Sequence, residues 1–133
     1  MQEACRGVVS VFDIAAAREN LRKRQVAQRQ SLAIMVGQAR IDAERIVAML
    51  IQNYRPQRIH QWGSLLRPER FREWSDIDIA LEGLVDPLDG LRALDVASTL
   101  TQFPVDIVEL ERIHPAHAKT IREEGRMVYE RPN

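Results

Sequence analysis

Apolar and polar positions recur with two different periods along this chain. Leu32, Met35, Val36, Ala39, Ala43, Ile46, Val47 and Leu50 fall at the three-and-four spacing of a helix. Residues 15–54 hold no proline and a single glycine, Gly37. The spacing therefore predicts one long helix, or two joined near Gly37. Arg55-Pro56 ends it, because proline disfavours helix in the residue before it. Unbroken, the helix would run roughly 60 Å at about 1.5 Å per residue, longer than a domain of this size is wide. Its first half, RENLRKRQVAQRQ, is polar and basic with few apolar anchors. That half cannot pack on its own domain over much of its length, so it is solvated or pairs with a second chain. Residues 1–13 read as a loose arm with a short strand at 8–12.

Beyond Pro56 the period shortens. RIHQWGS reads as a strand running into a Gly-Ser turn, and LLRPERFREW as a loop or short helix containing Pro68. SDIDIALEG alternates strictly: Asp76, Asp78, Ala80 and Glu82 on one face, Ile77, Ile79 and Leu81 on the other. Gly83 closes that strand. From Pro87 to about Gln102 the pattern is helical, with Leu88, Leu91, Leu94, Val96 and Leu100 as its apolar positions. Phe103-Pro104 breaks it, and PVDIVEL is the third strand. Pro115 suits the first turn of a last helix ending near Gly125. Residues 127–130 form a short final strand. Helices alternate with strands, so the fold class is α/β. Residues 1–54 are the arm and long helix, a contact surface for a dimer or a partner. Residues 55–133 are the core, and the two together make one domain.

A chain of 133 residues can bury a real core. No apolar run reaches the roughly 20 residues that span a bilayer, which excludes a membrane protein of the helical kind. The N-terminus lacks a basic segment leading into a long apolar stretch, and the lone cysteine, Cys5, has no internal partner. The expected location is the cytoplasm. Zero formal net charge argues against general nucleic-acid binding. Of the 19 cationic residues 17 are arginine, whose planar fork suits phosphate, although a codon bias explains the same excess.

The chemistry concentrates on three acids and one turn. Asp76 and Asp78 leave the same face of a strand, and two carboxylates so placed repel each other. A hard divalent cation relieves that repulsion, and oxygen ligands suit Mg²⁺ or Mn²⁺. Asp106 sits mid-strand in VDIV and would add a third carboxylate from a neighbouring strand, a usual way to build a phosphoryl-transfer metal site. Gly63 removes a side chain that would block phosphate, and Ser64 with the backbone amides can donate to it. A helix starting after Ser64 would aim its positive end at the same anion. Ser75, which caps or orients the strand end, and Arg67 complete the nucleotide-binding set with Gly63 and Ser64. Asp76, Asp78 and Asp106 are the expected catalytic and metal-holding residues.

Gly63-Ser64, eleven intervening residues, Asp76-Ile77-Asp78, then Asp106 on a later strand resemble the minimal nucleotidyltransferases of the DNA polymerase β-like superfamily. The resemblance runs from about Tyr54 to Glu130 and includes the tail IREEGRMVYE. It implies a small mixed β-sheet with helices mainly on one face, here preceded by the long N-terminal helix. It implies transfer of a nucleotide, AMP from ATP, to a hydroxyl with release of pyrophosphate. It also implies Mg²⁺ and a small helical partner of the HEPN type, on which some relatives act as adenylylating antitoxins. The alternative is an antitoxin-like binding subunit with little or no catalysis. The family's turn after Gly-Ser carries Arg-Gly; here Leu65-Leu66-Arg67-Pro68-Glu69-Arg70 has no glycine.

Other residues read more plainly. His114 and His117 are expected as surface histidines at a helix start, and His60 as a partly buried strand histidine. Glu82 is expected in solvent or in a salt bridge. Trp62 and Trp74 are expected to pack in the core or loop. No GxxxxGK[ST], GxGxxG or HExxH occurs.

Overall fold

A computed structural model describes the backbone of residues 2–133 and the side chains of residues 13–133. The loose arm and short strand expected within residues 1–13 are corrected: from Gln2 onward that backbone belongs to the first helix. The chain divides into two compact units, residues 1–34 and 35–133, so the division falls inside the first helix, α1 (Gln2–Tyr54). α1 is continuous through Gly37, so the alternative of two joined helices falls away. In the first unit, residues 13–34 are helical and exposed apart from Leu32, and Ile14, Leu21, Val26 and Ile34 stand in solvent.

The second unit begins with residues 35–54 of α1. Val36, Ala39, Ala43, Ile46 and Leu50 are buried there, as the helical spacing requires. Asp42 is buried with them and is satisfied: it accepts hydrogen bonds from Gln38 (2.8 Å) and from the Thr101 hydroxyl (2.7 Å). Arg55 takes a left-handed backbone (φ 46°), a common way to end a helix, and Pro56 follows. Then come β1 (Arg58–Trp62), two short 3₁₀ turns at Gly63–Leu66 and Pro68–Arg70, and β2 (Ile77–Glu82). The remainder is α2 (Asp89–Thr99), β3 (Val105–Glu109), α3 (Pro115–Glu124) and β4 (Arg126–Glu130). The helix expected after Ser64 is thus a single 3₁₀ turn starting at Gly63, too short to focus a macrodipole.

The four strands lie in the order β3-β2-β1-β4. β2 runs parallel to β3 and antiparallel to β1, and β4 is antiparallel to β1, so the sheet is mixed. On one face Ile59, Ile77, Ile79 and Leu81 are fully buried against α1 and α2. Each such side chain contributes about 1.5–3 kcal/mol by leaving water. On the other face Ala80, Ala118 and Ile121 pack α3 onto the sheet.

Helix α2 corrects the sequence pattern. Its buried positions are Ala93 and Ala97, while Leu88 and Leu91 are exposed. The small side chains let α2 lie close to the sheet, while Leu94, Val96 and Leu100 are only half-buried. No described helix is long and apolar enough to cross a membrane.

Candidate functional site

The acids meet where β2 begins. Parallel pairing sets Asp78 directly beside Asp106, and antiparallel pairing sets Trp62 on the other side of Asp78. Alternation then points Asp78 and Asp106 to one face while Ile77, Ile79 and Ile107 take the other. Asp76 lies one residue ahead of β2 and is exposed. Burial, then the Asp106 charge, then the Asp76 charge push the Asp78 carboxyl up to about 7. No basic group offsets this. The three acids are close enough to feel one another. Even so, among the described residues no three acid, histidine or cysteine side chains are gathered tightly enough to hold a metal ion. The strand register supplies the pair, and Asp76 stands at its margin.

Gly63 joins the turn to the acids. It has φ 81°, a left-handed backbone that favours glycine, and a Cβ built there would collide with the Asp78 carboxylate. Glycine at this position therefore does two things. It permits the turn out of β1, and it leaves Asp78 room for a ligand. Crowded, uncompensated oxygen donors beside a cleared backbone fit a hard divalent cation.

Ser64 and Arg67 line a cleft of about 290 Å³ next to Gly63. The opposite wall is α3, through His117, Thr120, Ile121 and Glu124. These four share one helix face at spacings of three, four and seven, a signal that was available in the sequence. The acids do not line this cleft, and neither does Ser75. The Ser75 hydroxyl instead accepts from the Arg72 backbone N–H (2.8 Å), and the Ser75 N–H donates back to the Arg72 carbonyl (3.0 Å). Its place is in the turn that delivers Asp76. The guanidinium of Arg72 braces the same turn by donating to the carbonyls of Glu69 and Phe71.

The remaining polar residues have structural partners. Glu82, on the same face as Asp78, is buried as a salt bridge rather than in solvent. His60 Nε2 donates to it (2.9 Å), and Arg122 donates twice to its other oxygen (2.9 and 2.7 Å). Burial alone would raise this carboxyl, but the hydrogen bonds from His60 and Arg122 outweigh burial and hold it below its usual range. His60 is more deeply buried than expected, at 5% exposure. His114 caps α3, its Nδ1 accepting from the Ala116 N–H (3.1 Å). His117 meets Trp62 edge-on at 5.5 Å. Trp74 overturns the expectation of packing: it is 76% exposed.

No family profile matches the chain, and no curated protein matches it in sequence. Solved structures do resemble it. A chain of the crystal structure of the toxin-antitoxin MntA-HepT aligns with TM-score 0.54 and 19% identity, over 69% of this chain and 73% of that one. A crystal structure of the toxin-antitoxin with AMP-PNP aligns with TM-score 0.55 and 21% identity, over 66% of this chain and 73% of that one. At such identities the likeness establishes architecture, and on that ground the chain shares the fold of a protein from the MntA-HepT toxin-antitoxin system.

Proposed function

We propose that this protein is a nucleotidyltransferase that moves AMP from ATP to a hydroxyl group, on a helical protein partner of the HEPN type. The observation that carries the reading is the Asp78–Asp106 register pair with Gly63 held against it. Two uncompensated carboxylates beside a backbone cleared of side chains form a place for a cation and a phosphate, and little else. The shared fold supports the reading, as does the AMP-PNP in one of the similar structures.

Asp78 and Asp106, joined by Asp76, would hold Mg²⁺ or Mn²⁺. A bound divalent ion supplies neutralisation of triphosphate charge. Ser64 and the backbone amides of its turn donate to the phosphates, and Arg67 adds a cation at the cleft. The acceptor oxygen forms a bond to the α-phosphorus as the bond from that phosphorus to the bridging oxygen breaks. Pyrophosphate leaves with that oxygen, and the hydroxyl proton passes to the Asp106 carboxylate. Position and charge do most of the work.

The test is transfer of label from α-labelled ATP to the helical partner. Asp76→Ala/Asp78→Ala should lower the rate by about 10³-fold or more. A binding role is the second reading, and the apolar side chains that residues 13–34 leave in solvent favour it. If the double variant still neutralises the partner in full, binding is the function and catalysis is not.

A further inference from the structure

We infer that Trp74, with Pro104 beside it, forms an apolar lip on which the acceptor protein docks, and that Trp74 positions the acceptor hydroxyl. This rests on the transfer reading above and names the surface that selects its acceptor. The sheet order sets the direction of approach. Register places Trp62, Asp78 and Asp106 in one row across β1, β2 and β3, and Gly63 follows Trp62. With the phosphates at the turn after β1, pyrophosphate leaves on the β1 side of Asp78. In-line displacement sets the entering and leaving oxygens on opposite sides of the phosphorus. The acceptor therefore enters from the β3 side, at Asp106.

Two exposed apolar residues stand on that side. Pro104 is exposed and lies two residues ahead of Asp106. Its carbonyl accepts from the Ile77 N–H (2.8 Å), which ties it to the segment that carries Asp76. Trp74 lies two residues ahead of Asp76, at most about 7 Å along the backbone, and is 76% exposed. Its turn is fixed from several directions. Phe71 is fully buried and meets Phe103 edge-on at 5.9 Å, which holds the turn against the start of β3. Ser75 and the guanidinium of Arg72 brace it from within. Trp74 is thus held in water by a tied turn, while Phe71 three residues back takes the core. A flat ring on a fixed backbone can cover a partner's apolar side chain at little ordering cost, and tryptophan is prominent among the residues that dominate protein interfaces. The acceptor is accordingly a protein segment with an apolar or aromatic side chain next to its hydroxyl.

The experiment combines the full chain, the helical partner and α-labelled ATP. Trp74→Ala should raise the KM for the partner about ten-fold or more and leave the KM for ATP within about two-fold. Trp74→Phe keeps a flat ring and should restore most of the loss, and Pro104→Ala should cost a few-fold. Leu91→Ala removes a similarly exposed side chain from α2 and should change nothing. Calorimetric titration of the partner without ATP reads the same surface without turnover, and Trp74→Ala should weaken that affinity by a similar factor. A normal KM and a normal affinity for the partner in Trp74→Ala would overturn the assignment. So would a rise confined to the KM for ATP, since the ring would then stack on the donor base. An equal loss in Leu91→Ala would overturn it too, because any exposed apolar side chain would then serve. A wild type that binds the partner through Trp74 but transfers no AMP would refute the proposed catalysis and leave the docking lip standing. Transfer that Trp74→Ala does not impair would do the reverse, and a wild type that neither binds nor labels the partner would refute both.

Discussion

Asp78 and Glu82 sit on the same strand and the same face, four residues apart, yet their carboxyls are pushed in opposite directions. Both lose water. Glu82 regains the loss through His60 and Arg122, which give it hydrogen bonds and positive charge. Asp78 gains only more negative charge, from Asp106 and Asp76. The difference lies in the partners and not in the acids. One end of β2 is finished by the protein itself, and it pins α3 to the sheet. The other end is left unfinished, at a cost in stability.

Substitutions can break or sharpen this contrast. The largest effect should follow Asp78→Asn, which keeps the shape and removes the charge. AMP transfer should fall by about 10²–10³-fold, whereas Glu82→Gln should stay within a few-fold of wild type. A comparable fall in both would erase the distinction between the two ends. Stability should answer the other way. Glu82→Ala strands His60 and Arg122 and should cost about 2–3 kcal/mol in urea unfolding, below the full value for a buried pair because Arg122 can turn to water. Gly63→Ala should cost about 1–2 kcal/mol through its left-handed backbone, with a further loss of transfer as Asp78 is displaced.

The smallest effect is the dependence on pH. Asp78 takes up a proton near pH 7 when folded and near its ordinary value of 3.8 when unfolded. Between these values the folded state binds more protons, so stability falls as pH rises, and the deficit is complete above pH 7. Asp78→Asn should therefore melt higher than wild type at pH 8, by about 1 kcal/mol after solvent screening, and equally below pH 4. A gain that persisted at low pH would assign the effect to something other than charge.

Much of this was legible in the chain. Alternation from Ile77 to Glu82 and around Asp106 gave the strands and the shared acid face, because sheet geometry is local to a few residues. Residues 35–54 showed their buried stripe for the same reason. Partnership was harder to read. Nothing near Glu82 in the sequence announces Arg122, 40 positions on, so one acid on that face could not be told from another. Helix α2 misled because Leu88 and Leu91 look like core residues, while close packing selected Ala93 and Ala97. The outward Trp74 and the inward face of α3 likewise depend on which surface meets which, and that is settled only when the elements assemble.

The strand order also bears on how the molecule comes together. Asp78 and Asp106 are 28 positions apart and are joined through one intervening helix, whereas β4 must return across 65 positions to pair Arg126 with Gln61. Closing the shorter loop costs less chain entropy. The acid pair can therefore form before the C-terminal segment docks. A chain still emerging from synthesis would carry its two repelling carboxylates side by side while the α3 wall of the cleft was missing.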